Sequence, residues 1–95
     1  MSRTTPVVTV SLVTWNGLEW LPGCLDSLAA QTLEDYELLV FDNGSTDGSV
    51  EWLRERAAAD DRIRVVESDE NLGYAPAHNR NIGAARGEAV LLLNQ

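Results

Sequence analysis

Residues 7–28 read VVTVSLVTWNGLEWLPGCLDSL, and this stretch decides the fold class. Residues 7–13 are apolar or β-branched on both alternating faces, which is typical of a strand that helices cover on each side. Asn16 and Gly17 interrupt that strand with a tight turn. From Leu18 the apolar residues return at helical spacing, which predicts a helix with one buried face and Pro22 in its first turn.

Three more apolar stretches predict three more strands. They span residues 36–41 (YELLVF), 62–67 (RIRVVE) and 88–93 (EAVLLL). The 62–67 stretch mixes arginines with valines, which favours a position at an edge of the sheet. A helix is predicted after residue 47, and another from about Ala75 to Arg86, where Gly87 ends it. The order β-α-β-α-β-α-β with short links indicates an α/β domain with a mainly parallel sheet.

Composition and charge exclude several classes of function. The 95 residues are 44% hydrophobic and 23% charged, as in one small globular domain. All seven cationic residues are arginines, which excludes a P-loop lysine and a Schiff-base lysine. Fifteen acidic residues bring the net charge to −8, which argues against a nucleic-acid partner. Cys24 is the one cysteine, so an internal disulfide and a multi-thiolate metal site are excluded.

The sequence predicts neither a secretion signal nor a membrane span. Residues 1–6 are polar, and residues 89–93 form the longest purely apolar run. That run is far shorter than the roughly 20 residues that cross a bilayer, so we expect a cytoplasmic protein. The same apolar strand would leave surface uncovered at the end of the sheet, and we expect self-association through it.

Polar residues follow each of the four predicted strands. They are Thr14, Trp15, Asn16 and Gly17 after the first, Asp42, Asn43, Gly44 and Ser45 after the second, Ser68, Asp69, Glu70 and Asn71 after the third, and Asn94 and Gln95 after the fourth. The carboxyl ends of parallel strands meet at one edge of a sheet, where open α/β sheets bind ligands. The amino-terminal edge is poorer in such groups. The sequence therefore predicts a ligand site at the carboxyl edge.

These residues suit a nucleotide that is held by its base and ribose. Trp15 offers a flat face for stacking, and Asp42 and Asn43 offer hydrogen-bonding groups for a base edge or ribose hydroxyls. Gly17 and Gly44 allow close approach of the backbone. Neither GxxxxGK[ST] nor GxGxxG occurs, so neither phosphate-binding fingerprint is present.

The same residues also have a structural interpretation. Trp15 fits a partly buried aromatic residue that closes the first loop. Residues 42–47 fit a simple turn in which Ser45 or Thr46 caps the next helix and Asp47 complements its dipole.

Other conspicuous side chains fit structural roles better than functional ones. His78 is the one histidine, and a structural or solvated role is expected because no partner set for a metal or a catalytic triad accompanies it. Cys24 lies among helical leucines and fits a small packed thiol. Trp20 and Trp52 fit core or interface positions.

The motifs together resemble family 2 glycosyltransferases, which are inverting enzymes with the GT-A fold. Residues 8–49 match a pattern of a strand ending in [YFW]-N, then S-x-x-x-Q-T, then D-[DN]-G-S-x-D. Residues 71–88 continue the match from N-L-G-Y-A to A-x-G-E. The familiar Asp-Asp pair is Asp42-Asn43 here, and the WN and DNG variants look most like a rhamnosyltransferase-like subgroup.

The resemblance implies a Rossmann-like, N-terminal half of a GT-A fold. Residues 1–95 would form its single nucleotide-sugar-binding portion. The implied activity transfers a sugar from a UDP- or dTDP-linked nucleoside diphosphate sugar to a glycan or other acceptor hydroxyl, in cell-wall or polysaccharide biosynthesis. The implied nucleotide-sugar-binding positions are Val13, Thr14, Trp15, Asn16, Asp42, Asn43, Gly44, Asn71, Gly73, Asn79 and Asn94.

The resemblance also places the catalytic groups after the last residue. In the family a DxD-type motif follows the strand that ends LLLN, so Asn94 would be its first position and residue 96 its metal-binding aspartate. A divalent cation, Mg²⁺ or Mn²⁺, is expected in the full-length enzyme and weak or absent here, and no catalytic or metal-ligating residue is assigned within the chain. We expect an inactive fragment that retains donor affinity. The alternative is a non-enzymatic α/β interaction module or scaffold.

Overall fold

The computed structural model describes residues 6–30 and 35–94. Its elements are β1 (Val8–Thr14), α1 (Leu21–Ala29), β2 (Tyr36–Asp42), α2 (Ser49–Ala59), β3 (Ile63–Glu67), α3 (Tyr74–Ala84) and β4 (Ala89–Asn94). The predicted alternation of strands and helices is therefore confirmed. Gln31 and Thr32 of the quoted pattern, and Gln95, lie outside the described residues.

The four strands form one parallel sheet in the order β3-β2-β1-β4. Helices cover both faces of the central strand β2, and all seven of its residues are buried. This burial explains why its sequence is almost continuously apolar. Within the described residues β3 pairs with β2 alone and buries Ile63 only, which confirms the predicted edge position. β4 forms the opposite edge, in register from Val8 with Ala89 to Val13 with Asn94.

The two faces of the sheet are held in different ways. On one face α1 and α2 pack a fully apolar layer, in which Leu21, Leu25 and Leu53 meet Val10, Leu12, Leu38 and Val40. On the other face the apolar contacts of α3 are those of Ala77 with Val13 and Phe41. Hydrogen bonds supplement this smaller cluster. Asn81 Nδ2 donates to Ser11 Oγ at 2.9 Å and to the Leu39 carbonyl at 3.1 Å, and Ser11 Oγ also shares a 2.8 Å hydrogen bond with His78 Nδ1. His78 thus has the structural role.

The start of α1 differs from the prediction. The amides of Trp20 and Leu21 both donate to the Gly17 carbonyl, at 2.8 and 3.0 Å, in a turn that precedes the helix. Because Pro22 has no N–H to donate to the Leu18 carbonyl, this turn does not continue into a helix from Leu18, and the helix begins at Leu21. Pro22 lies in the first turn of the helix, where its missing N–H costs no hydrogen bond.

The sequence had predicted that Gly87 ends α3, and this prediction is wrong. The helix ends at Ala84, and the extended backbone of Ala85 follows it. A Cβ atom on residue 87 would lie 2.5 Å from the Thr9 backbone nitrogen and 2.7 Å from Thr9 Oγ1. Glycine is therefore needed here because the link into β4 passes directly against β1.

A buried polar cluster lies at the amino-terminal edge of the sheet, where the sequence had predicted few polar groups. Glu37 of β2 is 2% exposed and accepts hydrogen bonds from Thr9 Oγ1 (2.6 Å), the Arg86 amide (2.6 Å), Arg64 Nη2 (2.8 Å) and Arg86 Nε (3.2 Å). Burial alone would raise the pKa of Glu37, but these hydrogen bonds outweigh it and lower the pKa to about 2. The cluster joins β1, β2, β3 and the link before β4.

The remaining conspicuous side chains divide between core and surface. Cys24 is partly buried against the apolar layer, as predicted, and burial raises the pKa of its thiol. Trp52 packs against the same layer, whereas Trp20 is 62% exposed and lies outside the core. Across residues 6–30 and 35–94, no helix has the length and apolar character that a membrane span requires.

Candidate functional site

Three loops meet at the carboxyl edge of the sheet. We name them the first loop (residues 15–20, after β1), the second loop (residues 43–48, after β2) and the third loop (residues 68–73, after β3). Because all four strands are parallel, the loops lie at the same edge, as the sequence predicted.

Asp42 folds the second loop around its own carboxylate. The residue ends β2 and is fully buried. Its Oδ2 accepts the amides of Gly44 (3.2 Å) and Ser45 (2.9 Å), and its Oδ1 accepts the Ser45 hydroxyl (2.6 Å). Both carboxylate oxygens thus hold the turn in place.

Hydrogen bonds join the first loop to the second. Asn16 Oδ1 accepts the Thr46 amide at 2.7 Å, and the Asn16 amide donates to Ser45 Oγ at 2.8 Å. Asn16 has a φ of +50°, a left-handed conformation that asparagine tolerates better than most residues. Asp47 Oδ2 accepts the Leu18 amide at 3.0 Å. The two loops therefore form one connected unit.

Asp47 also fixes the start of α2, and the residue that caps this helix is Gly48, not Ser45 or Thr46 as predicted. Asp47 Oδ1 accepts both the amide and the hydroxyl of Ser49, the first residue of α2. Burial alone would raise the pKa of Asp47, but the hydrogen bonds from Ser49 and Leu18 outweigh it and lower the pKa. Ser45 and Thr46 lie three and two residues before the capping residue Gly48, and the Ser45 hydroxyl is engaged with Asp42.

Asn43 joins the second loop to the third. Its side chain is 2% exposed; Oδ1 accepts the Leu72 amide at 3.1 Å, and Nδ2 donates to the Gly73 carbonyl at 3.1 Å. The loops also approach closely at Gly44, whose φ is +84° and where a Cβ would lie 3.3 Å from the backbone of Glu70. An amide can complete both bonds of Asn43, whereas a carboxylate has no donor for the Gly73 carbonyl.

A cleft of about 240 Å³ opens at this edge, and we name it the aromatic cleft. It is lined by Trp15, Asn43, Asn71, Gly73 and Tyr74. The side chains of Trp15 and Tyr74 are 51% and 50% exposed. Asn71 Oδ1 accepts the Gly73 amide at 2.8 Å, which shapes the third loop beside the cleft. The cleft thus combines two aromatic rings with amide and backbone polar groups.

A second cleft of about 310 Å³ lies beyond the second loop. It is lined by Asp42, Gly44, Ser45, Thr46, Val50, Glu51, Glu67, Ser68 and Asp69. Four of these lining residues are acidic and none is cationic, so the cleft disfavours a phosphate group. The part of the chain that the structure describes holds no cluster of three His, Cys, Asp or Glu side chains able to bind a metal ion. The described residues therefore do not form a site that fits a divalent cation.

The structure brings some of the predicted binding residues together and separates others. Trp15, Asn43, Asn71 and Gly73 line the aromatic cleft, and Asp42 and Gly44 line the second one. Asn16 joins two loops. Val13 and Thr14 are buried at the end of β1, where the Thr14 carbonyl accepts the Asn43 amide at 2.9 Å. The Thr14 hydroxyl has no hydrogen-bond partner among the described residues. Asn79 is exposed on α3 and lines neither cleft, and Asn94 stands beside Val13 in the sheet register.

Tyr74 is the cleft residue that the sequence prediction missed. It begins α3 directly after the third loop. The sequence does contain a signal for it, because an aromatic residue directly follows the N-L-G turn, just as Trp15 directly follows β1.

Comparison with known proteins shows the family and the fold of the chain. The family model described as glycosyl transferase family 2 matches residues 9–95. Glycosyltransferase AglE of Haloferax volcanii is 34% identical over 96 residues, which cover 99% of this chain and 32% of that protein.

Two solved structures share the fold closely. The mannosyltransferase PcManGT from Pyrobaculum calidifontis, in complex with GDP-Man and Mn²⁺, has a TM-score of 0.85 at 31% identity, covering 95% of this chain and 27% of that one. S. aureus TarS 1-349 in complex with UDP has a TM-score of 0.83 at 26% identity, covering 93% of this chain and 27% of that one. The chain thus spans 27% to 32% of the length of these three proteins. The chain belongs to glycosyl transferase family 2, and its parallel sheet with flanking helices is the Rossmann-like part of the GT-A fold.

Proposed function

We propose that the aromatic cleft binds the nucleotide of a nucleoside diphosphate sugar. The observation that supports this function is the joint lining of one cleft by Trp15, Tyr74 and the amides of Asn43 and Asn71 at the carboxyl edge of an open parallel sheet. A nucleobase needs flat apolar contact for its faces and hydrogen-bonding groups for its edge. The two rings offer the first, and the exposed side-chain amide of Asn71 offers the second. PcManGT in complex with GDP-Man and TarS in complex with UDP have the same fold, which supports a nucleotide ligand.

We propose further that the chain is the donor-binding part of an inverting, rhamnosyltransferase-like enzyme. Its donor would be a UDP- or dTDP-linked sugar, and the acceptor a hydroxyl of a glycan or another molecule in polysaccharide biosynthesis. The support is the WN and DNG motifs, whose side chains assemble the cleft. The GDP-Man complex of PcManGT makes GDP the nucleotide against which UDP and dTDP should be compared.

The divalent cation, in this proposal, belongs to the whole enzyme. A cation would neutralise the charge that develops on the departing nucleoside diphosphate, and PcManGT was solved with Mn²⁺. No donor set for a cation occurs within residues 6–30 and 35–94. We therefore expect the 95-residue chain alone to bind nucleotide with little dependence on Mg²⁺ and to transfer no sugar.

The proposal can be tested by isothermal titration calorimetry of the 95-residue chain with UDP, dTDP and GDP, each with and without Mg²⁺. We expect saturable binding that prefers one base. Trp15→Leu removes a stacking face and should raise the Kd about fivefold or more, since base stacking contributes about 1–3 kcal/mol. Trp20→Leu is the matched control, because Trp20 is also more than half exposed and lies outside the cleft. Absence of binding at millimolar nucleotide, or equal weakening by both substitutions, would contradict the proposal.

A non-enzymatic interaction module is the second candidate, and β4 is the observation that favours it. Val90, Leu91 and Leu92 are 40%, 50% and 50% exposed on this edge strand. An exposed apolar strand edge pairs readily with another chain, so we propose self-association through β4. Sedimentation velocity over a hundredfold range of concentration tests it. Wild-type chain should associate and Leu92→Lys should be monomeric; a wild-type monomer at every concentration would exclude the idea.

A further inference from the structure

Tyr74 and Trp15 are two half-exposed rings on one small cleft. They come from different elements, since Trp15 follows β1 and Tyr74 begins α3. Large aromatic side chains that stay half exposed and share a concave surface are typical of ligand sites. Tyr74 is not one of the binding positions that the resemblance to the family implies.

The backbone that carries Tyr74 is fixed by side chains of two loops. Asn43 bonds both the Leu72 amide and the Gly73 carbonyl, and Asn71 Oδ1 bonds the Gly73 amide. Gly73 has a φ of +83°, which places it in a conformation that favours glycine. These three hydrogen bonds hold the chain immediately before Tyr74, so its ring starts from a preorganised backbone position at the cleft.

We propose that Tyr74 is a second base-binding residue, which contacts the nucleobase together with Trp15. The inference rests on the proposed nucleotide function of the cleft and names a residue that determines its affinity. The aromatic ring, and not the phenolic hydroxyl, makes the contact, because stacking uses the π-face. A phenylalanine at this position therefore suffices, whereas a leucine of similar bulk does not.

The two tyrosines of the chain allow a direct spectroscopic test. Tyr36 is 7% exposed beneath the guanidinium of Arg62, which lies 4.6 Å from its ring centroid, whereas Tyr74 is 50% exposed. In a chain labelled with ¹³C in its tyrosine rings, Tyr36 is an internal reference for effects that do not arise at the cleft. We expect UDP, dTDP or GDP to shift the Tyr74 ring signals and to show intermolecular NOEs from them to base protons, with the Tyr36 signals unchanged.

Titration of two substitutions completes the test. Tyr74→Leu should raise the Kd about fivefold or more, and Tyr74→Phe should leave it within about twofold of wild type. If nucleotide shifts the Trp15 indole signal while the Tyr74 ring stays silent and Tyr74→Leu binds as wild type, the inference is wrong and nucleotide binding stands. If no nucleotide shifts either residue, the proposed function itself fails. Should Tyr74→Leu not fold, the NOEs of the wild-type ring decide the matter.

Discussion

β2 carries a buried carboxylate near each of its ends, and the two are satisfied in opposite ways. Asp42, at the carboxyl end, bonds the amides and hydroxyl of Gly44 and Ser45, two and three residues away. Glu37, at the amino end, bonds Thr9, Arg64 and Arg86, which lie 27 to 49 residues away. The first carboxylate shapes a loop at the candidate site, and the second ties distant segments of the sheet together.

Asp42 thus contributes to the assembly of the candidate site, whereas Glu37 contributes to the stability of the sheet. Around Asp42 the donors are neutral and local, so the second loop can hold its shape while Trp15 and Tyr74 remain open to a ligand. Around Glu37 the donors include two arginines, and the carboxylate is sealed from solvent. Substitutions in the Glu37 cluster should therefore change stability, whereas substitutions of the exposed rings Trp15 and Tyr74 should change binding more than stability.

Removal of the Glu37 carboxylate should have the largest effect. Glu37→Ala leaves the Thr9 hydroxyl and the Arg86 amide without their acceptor and should lower the free energy of unfolding by about 3 kcal/mol. Urea denaturation followed by circular dichroism measures the loss. Glu55→Ala, on the exposed face of α2, is the control and should change it by less than about 0.5 kcal/mol. Equal effects at the two positions would refute the distinction.

Low pH should reduce the stabilisation that the Glu37 carboxylate provides. The pKa of Glu37 is about 2 in the folded chain and 4.5 for an ordinary glutamate. A lowered pKa contributes stability that is fully present above about pH 4.5 and is lost as the pH falls toward 2, amounting to up to about 3 kcal/mol. Glu37→Gln should show a shallower decline of unfolding free energy in this window. Parallel curves for the two proteins would show that Glu37 does not contribute.

Asn43→Asp tests the connection between the second and third loops. The carboxylate cannot donate to the Gly73 carbonyl and places two acceptors together, which should cost about 2 kcal/mol at neutral pH. Protonation restores a donor, so the difference from wild type should narrow as the pH falls toward about 4, the pKa of aspartate in the unfolded chain. Asn79→Asp, on the exposed surface of α3, controls for the added charge and should be nearly neutral. A difference that does not depend on pH would exclude the proposed donor role of Nδ2.

Asn16 should show the smallest effect. Asn16→Ala removes the acceptor for the Thr46 amide and places alanine at a φ of +50°, which together should cost about 1 kcal/mol. Asn16→Gly loses the same hydrogen bond but accepts the backbone conformation, so it should recover part of the loss. Thermal unfolding of both variants separates the cost of the lost hydrogen bond from the cost of the backbone strain. A glycine variant less stable than the alanine variant would show that the strain does not contribute.

The sequence predicted the elements and the edge at which the site lies, because both depend on local periodicity and strand direction. Residues 36–41 show this most clearly, since their apolar run reflects burial on both faces. Element ends were less predictable. α1 starts three residues later than expected because Pro22 has no N–H with which the turn at Gly17 could continue into a helix from Leu18, and the spacing of apolar residues alone does not show this.

Contacts between distant residues were not predictable. Glu37 lies within an apolar run, and a charge in a buried strand signals a partner, but nothing local identifies Arg64 or Arg86. Gly87 was wrongly predicted to end a helix. Its actual contact is with Thr9, which is 78 residues away in the sequence, and no local pattern reveals that contact. At the candidate site, the sequence predicted binding roles for Trp15 and Asn43 but not the hydrogen bonds that commit the Asn43 amide to the third loop.

Mapping of amide chemical shifts during nucleotide titration tests the division between the two edges most directly. With the preferred nucleotide among UDP, dTDP and GDP, we expect shifts at Trp15, Asn43 and residues 71–74, and none at Glu37 or Arg86. Shifts at the Glu37 cluster with a silent aromatic cleft would contradict the account, because they would place the ligand on the arginines of the amino edge.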